Sequence, residues 1–185
     1  MTDAELIARA RRGDDVAWET LIRQNQEAVF RLAYLILGDP ADADDIAQET
    51  FIRAYRALDH FDATRAARPW LFSIAANLAR NRLRSVGRYV AALQRFLRAD
   101  PDALAPATAP EAGDSQLLWQ AVRRLNDGDQ EIIYLRYFSE MSEAETAETL
   151  EVALGTVKSR THRALGRLRE VVEREFPALR ESFVE

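Results

Sequence analysis

The chain has 185 residues, 48% of them hydrophobic, and no Cys. That leaves room for one or two domains with real cores, and it excludes disulfides, thiolate metal sites and a Cys nucleophile. The formal net charge is -5, which taken as a uniform average argues against a nucleic-acid binder.

The charge is not uniform. Residues 32–52 hold five acids and no base, whereas 65–98 hold eight Arg and no acid. Residues 99–115 carry four acids and no base, and 154–169 carry five bases and no acid. Its two His, His60 and His162, stand far apart, and neither a metal-ligand spacing nor a phosphate-cradling glycine loop occurs. No apolar run approaches the roughly 18 residues of a membrane span. The sequence therefore predicts a soluble, cytoplasmic protein with no metal, no cofactor, no membrane insertion and no enzymatic site.

Only seven Gly and six Pro occur, and strand-like alternation is scarce, so the chain is predicted to be all-α. A short helix covers about 3–12 and stops near Gly13. Asp14 or Asp15 caps a second helix that runs to about Leu37, with Trp18, Leu21, Ile22, Val29, Leu32, Ala33 and Ile36 as its apolar stripe. Gly38 ends it. Asp39 as N-cap and Pro40 at the first helical position open a third helix, to about Leu58. A loop, 59–68, follows, and Pro69 opens a fourth helix reaching at least Leu83.

The stretch 99–115, ADPDALAPATAPEAGDS, reads as a flexible acidic linker without a periodic apolar face. It separates a helical domain at 1–98 from a second at 116–185. Four helices are predicted in the second: 116–125, 127–138, 142–150 and 154–175. Ser142 with Glu145 forms a capping box, and the last two helices, separated by Glu151–Ala153, have helix-turn-helix spacing.

Three constellations stand out. On helix 154–175, Leu154, Val157, Thr161, Ala164, Leu165 and Leu168 share one arc, and Lys158, Ser159, Arg160, His162, Arg163, Arg167 and Arg169 lie outside it. A row of cations without compensating acids suits phosphates, with Lys158, Ser159, His162 and Arg163 toward base edges and Arg160 and Arg167 nearer phosphates. On the fourth helix, Asn77, Asn81, Arg84 and Arg88 recur at spacings of 4, 3 and 4 and form a polar stripe, while Arg82 breaks the pattern and points to the buried arc. In DPADADDIAQE, 39–49, capping accounts for Asp39 and Asp42, but the remaining acids beside Gln48 suit a protein surface of opposite charge. Trp70 and Phe72 are expected in the core; Phe61 is open to either role.

In this order the three features resemble the bacterial sigma factors of the extracytoplasmic-function group. DADDIAQETFIRAYRALDHFD followed by RPWLFSIAANLARNRLR is similar to the family's promoter-melting domain, and MSEAETAETLEVALGTVKSRTHRALGRLR to its C-terminal helix-turn-helix domain. The resemblance implies a two-domain subunit that binds core RNA polymerase and promoter DNA, is controlled by an anti-sigma factor, and is a monomer when free. It implies that Asp42, Asp44, Asp45, Gln48 and Glu49 dock on the coiled coil of the largest polymerase subunit. It implies that Phe61, Arg65 and Arg68, with Asn77, Arg80, Asn81 and Arg84, read the upstream-ten promoter element as single strand. Thr156, Lys158, Ser159, Arg160, His162, Arg163 and Arg167 would read the upstream-thirty-five element as duplex. The chain departs from the family at Glu151, where Gly is usual in the turn, and at Thr146, where an apolar residue is usual. The competing reading, a stand-alone helix-turn-helix regulator, predicts a dimer on a palindrome and leaves residues 1–98 without a role.

Overall fold

The computed structural model describes residues 2–97 and 114–182, with side chains for all of these except 86–97, 114, 115 and 180–182. The expected linker residues 99–113 and the Arg88 side chain lie outside them. The chain divides into two compact units, Met1–Ala107 and Thr108–Glu185.

The first unit contains α1 (Asp3–Ala10), α2 (Asp15–Leu37), α3 (Pro40–Ala57), a 3-10 turn (Leu58–His60) and α4 (Ala67–Leu97). The predicted boundaries of α2 and the predicted start of α3 hold because their caps form. Asp14 accepts the Ala17 amide at 3.1 Å, and that bond, followed by the Arg9 side chain, holds its carboxyl below the usual carboxylate range. Gly38 takes the left-handed conformation at φ 77° and closes α2. Asp39 accepts the Asp42 amide at 2.8 Å, with Pro40 beginning α3.

Helix α2 is the central element and packs on α1, α3 and α4. Its Leu21, Val29, Leu32 and Ala33 meet a core completed by Ala43 and Ala54 from α3 and by Leu71, Phe72, Ala75 and Ala79 from α4, all fully buried. The one polar residue on this stripe, Asn25, is buried and donates to the Leu21 carbonyl at 2.9 Å, so its burial leaves the amide satisfied. Helix α4 starts two residues earlier than expected. Pro69 then sits in the first turn, where its missing N–H costs nothing, and the amide of Ala67 is capped from a distance by Asp3 Oδ2 at 3.1 Å.

The second unit contains α5 (Asp114–Arg123), α6 (Asp127–Ile133), a π turn (Tyr134–Phe138), α7 (Glu143–Leu150), α8 (Leu154–Glu175) and α9 (Pro177–Ser182). Asp114 and Ser115 are thus helical rather than linker, and α9 was not anticipated; its Leu179 is fully buried. The Ser142–Glu145 capping box forms in both directions. Thr146 is fully buried, and its hydroxyl donates to the Ser142 carbonyl at 2.8 Å, which is how a polar side chain is accommodated in the turn's core. Burial pushes the Tyr134 phenol up to about 12.

Glu151 adopts φ 54°, ψ 42° as the C-cap of α7, a left-handed conformation that crowds any Cβ. Glu151→Gly is expected to stabilise this unit by about 0.5–1 kcal/mol. Calorimetry on the full chain should show a rise of about 2–8 °C in the corresponding transition; an unchanged or lower midpoint would contradict the strain.

Candidate nucleic-acid interface

On α3 the buried face is Ala43, Ile46, Ala47, Thr50, Phe51 and Ala54. This 3–4 spacing pushes the acids outward. Asp44, Asp45 and Gln48 are exposed and Glu49 is partly exposed. Gln48 Nε2 donates to Asp44 at 2.7 Å, and Glu49 pairs with Arg53 at 2.7 Å. Asp42 differs from the others: it is ion-paired to Arg82 of α4, whose pKa is raised first by that hydrogen bond and then by Asp42, Asp45 and Asp39 as charges. The residue that breaks the α4 pattern thus finds its partner on the acidic helix, and Asp42 serves the domain itself before any other protein.

The acidic face continues into apolar ground that sequence reasoning missed. Two adjoining clefts of about 620 and 360 Å³ run between α2 and α3, sharing Ile22, Phe51 and Ile52. Ile52 and Tyr55 are roughly half exposed, and Trp18 packs against Tyr55 with ring centroids 5.3 Å apart. The available signal was the series Asp44, Gln48, Ile52, Tyr55, which recurs at 4, 4 and 3 along one helix face.

The loop 59–66 and α4 carry the second set. Asp59, His60, Asp62, Thr64, Arg65 and Ala66 are exposed. Phe61, by contrast, is 6% exposed and stacks on Trp70 at 4.1 Å. Both of its faces are therefore committed to the core, and as folded it offers none to a base. Phe72 is fully buried, and the Arg68 guanidinium lies 5.2 Å over its ring. Asn77, Asn81 and Arg84 are exposed on one stripe, and Arg80 reaches back to donate to Asn77 Oδ1. Arg65 on the loop and the Asn77–Arg84 stripe on α4 thus offer donors for phosphates, with amides for base edges.

In α8, Val157 and Ala164 are buried. Lys158, Ser159, Arg160, His162 and Arg163 are exposed and Thr156 is partly so. Lys158 Nζ lies 3.6 Å from Glu143, and Arg163 Nε donates to the Ser159 carbonyl at 3.2 Å. The N-cap, Ala153, supplies no side-chain bond and the first turn holds no acid, so the positive end of the helix dipole is available to a phosphate. Two expectations for this helix need correction. Leu154 and Leu165, assigned to the buried arc, are 46% and 40% exposed, because α7 and α6 cover a narrower strip. Arg167, placed near phosphates, is ion-paired to the buried carboxylate of Asp129 on α6.

Arg167→Ala leaves Asp129, among the described residues, with Asn126 as its side-chain donor. It is expected to destabilise the second unit by about 1–3 kcal/mol while changing the salt dependence of DNA binding little. A large fall in salt dependence with unchanged stability would return Arg167 to the phosphate contacts.

Residues 21–89 match the family model Sigma-70 region 2, and residues 115–168 match Sigma-70, region 4. The chain is 33% identical over 174 residues to the ECF RNA polymerase sigma factor SigW of Bacillus subtilis, covering 89% of this chain and 93% of that protein. It is 32% identical over 192 residues to the RNA polymerase sigma-H factor of Pseudomonas aeruginosa, covering 97% of each. Among solved structures, CnrH in complex with the cytosolic domain of CnrY superposes with a TM-score of 0.71 at 27% identity, over 94% of this chain and 98% of that one. The sigma factor RpoE in complex with the anti-sigma factor NepR from Bartonella quintana gives 0.67 at 27% identity, over 85% and 97%. With both halves matched by family models and a relative 33% identical along most of its length, the chain belongs to the sigma-70 family, among its extracytoplasmic-function RNA polymerase sigma factors.

Proposed function

We propose that this chain is a promoter-specificity subunit that binds core RNA polymerase through the acidic face of α3 and reads promoter DNA with both units. Asp44, Asp45, Gln48 and Glu49 would meet a basic coiled coil on the enzyme. Arg65, Arg68, Asn77, Arg80, Asn81 and Arg84 would hold the upstream-ten element as single strand. Thr156, Lys158, Ser159, Arg160, His162 and Arg163 would enter the upstream-thirty-five duplex. The chain itself carries out no catalytic step and acts in the cytoplasm as a monomer until it meets the enzyme. The observation that carries this reading is the segregation of charge. One acid-rich face and two basic helix faces occur in one chain, with α8's exposed cations opposite the buried Val157 and Ala164.

Relatives of this fold are held by CnrY and by the anti-sigma factor NepR, and a sequestering protein is proposed for this chain as well. Covering the α3 acids and the α8 cations would block both activities at once. Native gels and gel filtration test the core of the reading. The free chain should run as a monomer and co-migrate with core polymerase; a stable dimer that ignores polymerase would favour the stand-alone regulator.

A further inference from the structure

We propose that α1 is a brace that holds the loop 59–66 in its reading geometry, with Arg11 and Asp3 as the positioning residues. The inference rests on the proposed reading that this loop meets unpaired promoter bases.

The brace grips both ends of the loop. At the entry, Arg11 Nε donates to the Leu58 carbonyl at 2.8 Å, and a terminal nitrogen of the same guanidinium donates to the Phe61 carbonyl. The Leu58 carbonyl already accepts the Phe61 amide that closes the 3-10 turn, and Arg11 adds a cation at this C-terminal end of a helical segment, where one is favoured. At the exit, Asp3 Oδ2 accepts the Ala67 amide at 3.1 Å, at the start of α4. Between the two grips, Leu6, Ile7 and Ala10 of α1 form one buried cluster with Leu58, Phe61 and Ala67, and Ala63 packs on it.

Burial alone would need only an apolar side chain at position 11. A guanidinium aimed at two main-chain carbonyls fixes the direction of the chain as well. Within the loop, Asp62 accepts the Thr64 amide at 2.9 Å and its hydroxyl at 2.7 Å. Its carboxyl is held below the usual range, first by that hydroxyl, with Arg65 and Arg11 adding as charges. The exposed residues between the grips are therefore ordered before any DNA arrives, and the ordering cost is removed from the binding step.

The test uses the full chain with core polymerase on a promoter fragment that the wild-type protein opens. The variants are Arg11→Met, which keeps the apolar stem, Arg11→Lys, and Asp3→Asn at the other grip. Amide hydrogen exchange and permanganate reactivity of unpaired thymines are read together. Arg11→Met should speed exchange at 59–67 by about tenfold or more, leave α2 and polymerase binding unchanged, and lower promoter opening by about tenfold or more, since both charge-assisted hydrogen bonds of the guanidinium are lost. Asp3→Asn keeps an acceptor oxygen but loses the charge, so it should loosen the 63–67 end by a smaller factor, and a folding defect in the Arg11 variant would not remove the test. Arg11→Lys should restore part of the opening. Unchanged loop exchange would overturn the brace, and faster exchange with full opening would show that the order is not used. Arg65→Ala and Asn77→Ala separate the levels: if they impair opening while Arg11→Met does not, this inference fails alone. If they too leave opening intact, the reading of the loop fails and takes the inference with it.

Discussion

Replacing Asp45 and Glu49 together by arginine is expected to abolish binding to core RNA polymerase while the chain keeps its helical fold. The two positions are four residues apart and share the outer face of α3, away from Ala43, Ile46, Ala47 and Thr50, which are buried. Asp45 is exposed, and Glu49 gives up only an exposed pair with Arg53, an interaction worth at most about 1 kcal/mol. Against a basic docking surface each reversal turns an attraction into a repulsion, and like-charge juxtaposition costs about several kcal/mol. The expected weakening is about a hundredfold to a thousandfold or more. Asp42 is left alone because its carboxylate is bound to Arg82, and changing it would confuse docking with domain integrity. Titration of labelled chain with core polymerase, alongside far-UV circular dichroism, reads both halves. Binding that survives the double reversal would mean that α3 is not the docking helix.

The second large effect is expected on α8. Alanine at both Lys158 and Arg163 should lower transcription from an intact promoter by about tenfold to a thousandfold, since a good base-edge contact discriminates by about 1–3 kcal/mol. Both side chains are exposed, and neither contributes to the strip of Val157 and Ala164 that holds the helix in place. Lys158 loses its 3.6 Å approach to Glu143 and Arg163 its exposed bond to the Ser159 carbonyl, so stability should change little. Polymerase binding should be unaffected, because the substitutions lie in the other unit. Run-off assays across a salt series check the effect. Undiminished transcription would make α8 a solvated helix rather than a reader.

What could be read without coordinates follows from locality. Caps act within three residues, so Asp14, Asp39 and Ser142 announced their helices, and the 3–4 spacing of apolar residues announced which face of α2 would be buried. The helix-turn-helix was legible for the same reason, down to the unusual Glu151 in the turn. What stayed hidden depends on pairs far apart in the chain. Arg82 reaches Asp42 across 40 residues, Asp129 claims Arg167 across 38, and Arg11 grips Leu58 across 47. No periodicity encodes such contacts. Phe61 was ambiguous because an aromatic near a basic loop can stack on a base or on a neighbour; Trp70 decided the matter. The exposure of Ile52 and Tyr55 was missed for a simpler reason. Apolar residues were sought on buried arcs, and these two lie on the acidic face itself.

The most direct test of the account is run-off transcription with purified core polymerase on the fragment upstream of this gene, with and without the protein. The account predicts a discrete transcript that requires the chain and is lost with the Asp45 and Glu49 reversals. No chain-dependent transcript from that fragment or from a panel of genomic promoters, together with failure to co-migrate with core polymerase, would contradict it.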